Sequence, residues 1–344
     1  MERALATIAT VTAVEKHPDA DLLEIVRVRG WQCVVRKADR FAVGDDVLYL
    51  EIDSHVDVAD ERFAFLSKGG LRTNAAGWRG HRVRTVQLRG VTSQGLIMPL
   101  GLFPELEGSV AGDDVTGKLP VRLWEPLIPF GTEIIGALPD GIPDTDLKRV
   151  QNFDAEELAA LLSLPHLTIT EKIDGSSCSA YVKDDGDIGV SYGKRWEVSP
   201  LSAVHSTVAS SPAGRWLREQ HPGTYLQGEI VGPPIQGNPL KLTGLQWLLF
   251  GAGYMMWNYP HRMNPLHVIP DDIFHAQAVP WIPPGAINRH STVEDLIRFA
   301  DGIRSMLNQD VLAEGIVITG YDDLGERRGS CKVINNAYLI ANKE

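Results

Sequence analysis

The feature that most constrains the fold is a change in hydrophobic patterning near the middle of the chain. Before about residue 122, apolar and polar residues alternate in short runs that end at clusters of turn-forming residues such as HPDAD and GDD. Alternation with a period of two is typical of strands with one buried face, so these runs predict a small all-β domain. The runs are ALATIATVTAV, LLEIVRVRG, WQCVVRK, DDVLYLEI, RVRTVQLRG and QGLIMPL.

This amino-terminal region suits an OB-like β-barrel, because about five or six strands within roughly 100 residues can close a small barrel. Its first part, EKHPDADLLEIVRVRGWQCVV, resembles the barrels of transfer-RNA-binding modules. We therefore assign residues 1–122 to an OB-like β-barrel domain.

A segment rich in proline and glycine follows the barrel. The stretch WEPLIPFGTEIIGALPDGIPD contains four prolines and three glycines, which disfavour both a helix and a continuous strand. We predict a linker at residues 123–152 and a second domain at residues 153–344.

Helices and apolar strands alternate without a regular repeat in the second domain, which predicts an α+β fold. One helix begins near Asp154, a predicted N-cap with Glu157 three residues later, and another begins near Ser291 with Glu294 in the same arrangement. The second of these predicted helices extends over STVEDLIRFADGIRSML.

The charge distribution is uneven. The 344-residue chain has a formal net charge of −11, which argues against coating nucleic acid by bulk electrostatics. Residues 62–104 nevertheless lack any acidic residue and contain seven Lys or Arg residues, so a local basic face is expected; a solvated loop is the alternative. The predicted nucleic-acid-binding residues are Arg72, Arg79, Arg82, Arg84 and Arg89.

The cysteines and the amino terminus indicate the compartment. Cys33, Cys178 and Cys331 are far apart and form no CxxC pair, so neither a disulfide framework nor a zinc site is expected. The amino terminus has the alternation of a strand and lacks the pattern of a signal peptide. We expect a cytoplasmic protein with no membrane association.

The stretch TEKIDGSSC at residues 170–178 places a lysine between two carboxylates at the end of a probable strand. Lys172 acts as a nucleophile only when its amine is neutral, and a bound metal or a second lysine can lower its pKa. Lys332 is a candidate for that second lysine, while Glu229 and Glu314 are isolated carboxylates in apolar runs, as expected of cation ligands. The alternative is an ordinary strand end with a solvated lysine.

Six segments occur in the order of the motifs of covalent nucleotidyltransferases, which they resemble. This superfamily includes ATP-dependent RNA ligases, DNA ligases and messenger-RNA capping enzymes. Because the barrel precedes these segments, the chain resembles the RNA ligases with an N-terminal OB-type domain and a C-terminal covalent nucleotidyltransferase (ATP-grasp-like ligase adenylation) domain. The segments are KIDG (172–175), YGKR (192–195), QGEIVG (227–232), WLLFG (247–251), EGIVI (314–318) and SCKVI (330–334).

The resemblance implies an activity. Lys172 would attack the α-phosphate of ATP and hold AMP as a phosphoramidate. The AMP would then pass to a 5′-phosphate end, and a 3′-hydroxyl end would displace it. The resemblance also implies Mg²⁺ or Mn²⁺ as cofactor and a nicked duplex with RNA on the 3′-hydroxyl side as substrate. No obligate protein partner is evident.

The resemblance also implies roles around the nucleophile. Glu171 would lie near the adenine, and Asp174 with Gly175 would shape the turn that presents the amine. Ser177 would lie near a metal-bound water, and Arg195 would contact the ribose or the attacking strand.

The remaining implied roles belong to later segments. Glu229 would accept a hydrogen bond from the ribose and contribute to the metal site, Glu314 would bind the metal, and Lys332 would neutralise the α-phosphate. Trp247 is our choice for stacking on the adenine, with Phe250 second; core packing is the alternative for either ring.

The last motif departs from the family pattern. Many relatives have two lysines separated by one residue, whereas here Ser330 takes the place of the first; Arg327 and Arg328 lie nearby in the sequence as substitute cations. Two further enzyme classes stay open, a DNA ligase and a capping-type guanylyltransferase. A non-catalytic OB-fold nucleic-acid-binding protein is the alternative from another class.

Overall fold

A computed structural model describes residues 3–74, 76–125, 133–194, 196–256, 259–265 and 268–342. The chain forms two compact units. The first consists of Met1–Ile128, Gln151–Asp154 and Leu339–Glu344, and the second of Pro129–Val150 and Ala155–Tyr338. Of the helices described, none is both long enough and apolar enough to span a bilayer.

The first unit contains the strands predicted from alternation, together with several shorter ones. They are β1 (Ala6–Lys16), β2 (Leu23–Val28), β3 (Trp31–Arg36), β4 (Asp46–Leu50), β5 (Ser54–Val56), β6 (Arg72–Thr73), β7 (Arg79–Arg82), β8 (Thr85–Leu88), β9 (Val91–Gln94), β10 (Leu96–Pro99) and β11 (Val121–Leu123).

The main sheet of this unit has the strand order β10-β4-β1-β2-β3. Strand β1 pairs with β4 through its first half and with β2 through its second half, and its register shifts between Val11 and Ala13. A bulge of this kind bends a strand and helps a sheet to curl. The curled sheet encloses a core around Trp31, Leu48 and Leu50, all fully buried. A second sheet, β11-β5-β7-β6, and the β8–β9 hairpin complete the unit.

The second unit contains most of the helices. Its strands are β12 (Ile134–Ala137), β13 (His166–Lys172), β14 (Ser176–Val182), β15 (Ile188–Tyr192), β16 (Trp196–Val198), β17 (Thr224–Val231), β18 (Gln246–Met256), β19 (Tyr259–Met263), β20 (Trp281–Ile282), β21 (Gly315–Tyr321) and β22 (Arg327–Ile334). The helices of the described chain are α1 (Ala155–Ser163), α2 (Ala203–Ser210), α3 (Pro212–Leu217), α4 (Asp271–Gln277), α5 (Val293–Ala300) and α6 (Asn336–Asn342).

Two antiparallel sheets build this unit. One has the order β12-β16-β15-β14-β17-β18-β19 and the other β20-β13-β21-β22. The chain crosses between them at residues 173–175, directly after Lys172 at the end of β13. Strand β12 lies within the region predicted as a linker and pairs with β16 at the edge of the larger sheet.

The prediction for α5 needs correction at both ends. The N-cap is Thr292 rather than Ser291: its hydroxyl accepts from the Asp295 backbone N–H at 3.2 Å, and the Asp295 side chain accepts from the Thr292 backbone N–H at 3.0 Å. The helix ends at Ala300, well before the end of the predicted run, because Gly302 follows with φ of +76°.

Candidate active site

Lys172 lies at the last position of β13, opposite Gly315 of β21. A Cβ at Gly315 would lie 2.1 Å from the carbonyl oxygen of Val333 in β22, so only glycine allows β21 to approach β22 this closely. Glu314, the residue before Gly315, lies beside Lys172, whose Nζ donates to Glu314 Oε2 at 2.6 Å. The structure brings these two predicted residues into direct contact.

Glu229 reaches the same place from the larger sheet. It lies on β17, opposite Ser177 of β14. A Cβ at Gly175 would lie 2.4 Å from the Ile230 carbonyl oxygen and 2.9 Å from Glu229 Cγ. The KIDG turn packs directly on β17 for this reason, and glycine is required where it makes contact.

The carboxylates dominate the electrostatics around Lys172. Burial by itself favours the neutral amine, but the charges of Glu314 and Glu229 outweigh it and raise the pKa of Lys172. Burial also raises the pKa of Glu229 to about 8, with Glu314 and Asp174 adding to the effect and Lys172 opposing it. This crowding of acids indicates a site for positive charge beyond the single lysine.

Asp174 is held by a residue that the sequence analysis did not identify. The hydroxyl of Tyr338, in α6, donates a hydrogen bond to its carboxylate, and Tyr338 is 3% exposed. This hydrogen bond connects the KIDG turn to the start of α6. No sequence motif predicts it.

Lys332 lies on β22, opposite Val317 of β21. Its Nζ donates to Asp146 Oδ1 at 2.7 Å, and Lys194 Nζ lies 3.1 Å from the other oxygen of the same carboxylate. Two lysines thus share one acid. Sequence reasoning missed both Asp146, inside the predicted linker, and the role of Lys194, although Lys194 belongs to the quoted YGKR segment.

The neighbourhood of Ser330 corrects the expectation of a substitute arginine. Arg328 pairs with Asp322 at 2.5 Å and with Glu326 at 2.7 Å, near the turn that joins β21 to β22. Arg327 lies among Tyr225, Tyr321 and Arg262, and burial lowers its pKa to about 10. Lys194 is instead the cation that shares a carboxylate with Lys332.

The predicted linker contributes further contacts to the site. The Thr145 and Ser177 hydroxyls lie 2.6 Å apart, and the Lys332 backbone N–H donates to the Lys148 carbonyl at 3.0 Å. Arg149, which is 7% exposed, forms a parallel bridge with Lys332. Sequence analysis missed this segment because its proline and glycine content indicates only an irregular backbone.

Glu171 points away from Lys172, as alternation along β13 requires. Its Oε2 accepts from the Met306 backbone N–H at 2.8 Å, and its side chain is 3% exposed. Burial raises the pKa of this carboxyl. Arg195, predicted to contact the ribose or the attacking strand, lies outside the described residues.

The order of preference between the two candidate stacking rings is reversed. Trp247 is 2% exposed and its Nε1 donates to the Cys178 carbonyl at 3.0 Å, so it is a core residue of the larger sheet. Phe250 is only half-buried and packs on the cluster that contains Ile173, next to Lys172. Of the two rings, Phe250 is therefore the one that is not enclosed in the core of the larger sheet.

The predicted nucleic-acid-binding arginines, all in the first unit, divide into groups. Arg82 pairs with Asp53 at 2.7 Å. Burial lowers the pKa of Arg84, and the nearby charges of Arg72 and Arg82 lower it further, which places these three arginines together. The structure separates the other two: Arg79 belongs to the opposite face of β7 from Arg82, and Arg89 lies in the β8–β9 turn with φ of +48°.

The metal prediction can be tested against the donor set. Among the described residues, no group of three or more His, Cys, Asp or Glu side chains is arranged to hold a metal. Glu314 and Glu229 offer oxygen ligands in a negatively charged environment, which fits a Mg²⁺ or Mn²⁺ ion that takes its other ligands from phosphate and water. The residues present therefore fit a divalent ion that is bound jointly by the protein and by the phosphates of the substrate.

A lysine at a strand end, carboxylates from both sheets and a second lysine on the adjacent hairpin are the features of a covalent nucleotidyltransferase. A family model described as an OB-fold domain matches residues 5–100. A comparison with curated protein sequences gives no significant match.

Solved structures of a Naegleria gruberi RNA ligase are similar over the whole chain. The structure with pyrophosphate has a TM-score of 0.84 and 35% identity, covering 98% of each chain. The structure of a variant with AMP and Mn has a TM-score of 0.84 and 35% identity, with 99% of each chain covered. The structure of another variant, with ATP and Mn, has a TM-score of 0.83 and 34% identity, also with 99% of each chain covered. This chain belongs to that RNA ligase family. The predicted fold class, an OB-like barrel followed by an adenylation domain, is confirmed.

Proposed function

We propose that the protein is an ATP-dependent RNA ligase that works through a lysyl-AMP intermediate. The contact that supports this most directly is the 2.6 Å ion pair between Lys172 and Glu314, with Glu229 beside it. The pair stands at the position of the KxDG motif in a chain of the RNA ligase family. The neighbouring ligase binds ATP or AMP with Mn, and we assign ATP and Mg²⁺ or Mn²⁺ to this chain.

In the first step Lys172 Nζ attacks the α-phosphorus of ATP, a phosphoramidate bond forms, and the bond to pyrophosphate breaks. The Lys172 ammonium must first lose its proton, because only the free lone pair attacks, and Glu314 Oε2, 2.6 Å from Nζ, is placed to accept that proton. A divalent ion held by Glu314 and Glu229, when bound, would supply positive charge to these acids and to the phosphate.

Lys332 and Lys194 neutralise the charge that develops on the α-phosphate. Both lysines hold the Asp146 carboxylate in the free protein, and a phosphate offers them the same kind of acceptor. ATP binding therefore requires these ammonium groups to exchange a carboxylate oxygen for a phosphate oxygen. Asp146 positions the two cations until then.

The adenosine is held by neighbouring groups. Phe250 stacks on the adenine, close to Ile173, while Glu171 and the backbone near Met306 border the base. Glu229 accepts from a ribose hydroxyl in the nucleotide-bound state. Gly175 keeps the turn close to β17 so that the base, the ribose and the amine share one pocket.

The second and third steps join the ends. AMP passes from Lys172 to the 5′-phosphate of one strand, and a 3′-hydroxyl then attacks that phosphate and releases AMP. We propose a nicked duplex with RNA on the 3′-hydroxyl side as the substrate. Comparison of sealing rates for matched nicks tests this choice: equal rates for an all-DNA nick and for a nick with an RNA 3′-terminus would contradict it.

We further propose that the protein works in the cytoplasm without an obligate protein partner. Cys33, Cys178 and Cys331 are all free and buried, as a reducing compartment allows. Cell fractionation would locate the protein, and sealing by the purified protein alone would establish that no partner is needed.

The deciding experiment is incubation with α-³²P-labelled ATP and Mg²⁺ or Mn²⁺, followed by denaturing electrophoresis and an acid-lability test. We expect an acid-labile labelled protein that is absent from Lys172→Ala and present in Lys118→Ala, a matched change at an exposed lysine. Label from GTP in place of ATP would support a capping-type enzyme. No label from either nucleotide, in a protein that binds RNA, would support the non-catalytic alternative.

A further inference from the structure

One face of the small β11-β5-β7-β6 sheet in the first unit carries an unusual set of side chains. Directly opposed residues of antiparallel strands share a face, and the register opposes Arg122 to His55 and His55 to Arg82. Arg72 lies opposite Gly80, which belongs to the same face as Arg82. On the other face Val56 and Val121 are buried in the core, whereas Arg79 is exposed.

Two tryptophans connect these cations into a continuous row. The ring of His55, fully buried, contacts the edges of Trp78 and Trp124 at centroid distances of 4.6 and 5.1 Å. The Arg122 guanidinium lies over Trp78 at 5.1 Å and the Arg82 guanidinium over Trp124 at 5.5 Å. The row reads Arg122, Trp78, His55, Trp124 and Arg82, and we call it the arginine–indole row.

The row holds its arginines in fixed orientations. A guanidinium stacked on an indole is attracted by the ring's charge distribution and keeps its N–H edges available to an oxygen acceptor. Arg122 is exposed, and Arg82 is also held by Asp53 at 2.7 Å. Side chains fixed in this way lose little conformational freedom on binding a ligand.

The row is also part of a local concentration of positive charge. Arg84 lies close enough to both Arg72 and Arg82 for their charges to interact. Like charges in proximity repel each other in the free protein, and a polyanion that contacts them relieves the repulsion. Planar guanidinium groups match phosphate oxygens in geometry as well as in charge.

We propose that the face bearing the arginine–indole row binds the phosphodiester backbone of the RNA substrate. The choice of RNA over another polyanion rests on the ligase function proposed above. Arg122 and Arg72 contact phosphates directly, Trp78 and Trp124 orient the guanidinium groups, and the buried His55 supports both rings. Arg122 was not among the arginines predicted from the basic window, because it lies far outside residues 62–104.

A salt titration of RNA affinity tests the proposal. The probe is a fluorescent nicked duplex with RNA on the 3′-hydroxyl side, mixed with the full chain without ATP or metal. We expect Arg122→Ala to weaken binding about three- to tenfold and to lower the slope of log Kd against log salt by about 0.7–0.9, the contribution of one phosphate contact. Arg122→Lys, which keeps the charge without the planar fork, should retain the slope and lose part of the affinity.

A matched control separates this effect from a general loss of charge. Arg36 is exposed, lies at the end of β3 in the main sheet and pairs with Asp39, so Arg36→Ala should bind as the unaltered protein does. Equal affinity and slope for Arg122→Ala and Arg36→Ala, with unchanged thermal midpoints, would overturn the proposal. Trp78→Phe, which keeps an aromatic ring under Arg122, should bind more tightly than Arg122→Ala.

The test is independent of catalysis because it contains no ATP. An unaltered protein that forms no lysyl-AMP but shows Arg122-dependent RNA binding would contradict the proposed function and support this surface. A protein that forms lysyl-AMP but whose RNA affinity does not depend on Arg122 would support the proposed function and contradict this surface.

Discussion

Positive charge is held in two different ways in the two units. In the second unit the amines of Lys172 and Lys332 each lie within 2.7 Å of a carboxylate. In the first unit Arg122 lies over an indole ring, and Arg82 combines an indole ring with a carboxylate, Asp53, at 2.7 Å. A lysine can give up its proton and become a nucleophile, whereas an arginine keeps its charge. The difference fits chemistry in one unit and sustained binding of phosphate in the other.

The acids of the two units differ in the same sense. Burial and neighbouring acids raise the pKa of Glu229 to about 8, whereas the Arg62 guanidinium lowers the pKa of Asp60. Glu229 thus needs an additional cation to be charged near neutral pH, whereas Asp60 already has Arg62 as its partner. The predictions below test this contrast, beginning with the largest expected effect.

Glu314→Gln should lower the rate of lysyl-AMP formation by about 100-fold or more, because it removes the carboxylate that contacts Lys172 and is placed to bind the metal. Label transfer from α-³²P ATP measures the rate. Glu294→Gln, a change at an exposed acid on α5, is the control and should leave the rate as it is. Equal rates for the two variants would remove Glu314 from the reaction centre.

Lys194→Ala should slow the same step by about tenfold, the effect of one charge-assisted contact, because Lys194 shares the Asp146 carboxylate with Lys332. Lys183, the residue after β14, pairs with Glu197, and Lys183→Ala provides the control. If a lysine introduced at Ser330 restored the rate of Lys194→Ala, it would show that Lys194 replaces the missing motif lysine. A rate equal to that of Lys183→Ala would refute the role.

The pH dependence of stability gives the smallest effect. Because the pKa of Glu229 rises from the ordinary 4.5 to about 8 on folding, the folded protein binds this proton more tightly. The resulting stability is complete below about pH 4.5 and is lost as the pH rises through about 8, with a slope of at most about 1.4 kcal/mol per unit. Glu229→Gln should flatten this part of the curve in thermal melts without metal. An unchanged slope would contradict the raised pKa.

The opposite dependence is expected of Asp60. Its lowered pKa contributes stability above the ordinary value, and this stability is lost as the pH falls. Asp60→Asn should therefore change the acid end of the melting curve and leave the region near pH 8 unaltered. Melts of both variants in the same buffers would show whether the two units differ as described.

The residues predicted correctly to come together are those whose chemistry conflicts with their local pattern. Lys172, Glu229 and Glu314 are charged side chains in or beside strands within apolar runs, and such placement is costly without a partner. Lys332 has the same pattern, but the partner that the structure gives it is Asp146. The choice between Trp247 and Phe250 failed because alternation separates the two faces of a strand but does not say which one meets the core. Only the packing of β18 against β17 and α4 decides that.

The amino-acid sequence determined the order of the two domains, the types of strand and helix in each domain, and the candidate nucleophile, because these depend on local periodicity and on ordered motifs. Only the tertiary structure decided which distant groups meet: Lys332 with Asp146 across 186 positions, and Tyr338 with Asp174 across 164. The register of β5, β7 and β11 likewise placed Arg122 beside Trp78. Pairing between remote segments depends on how sheets pack, and no local pattern records it.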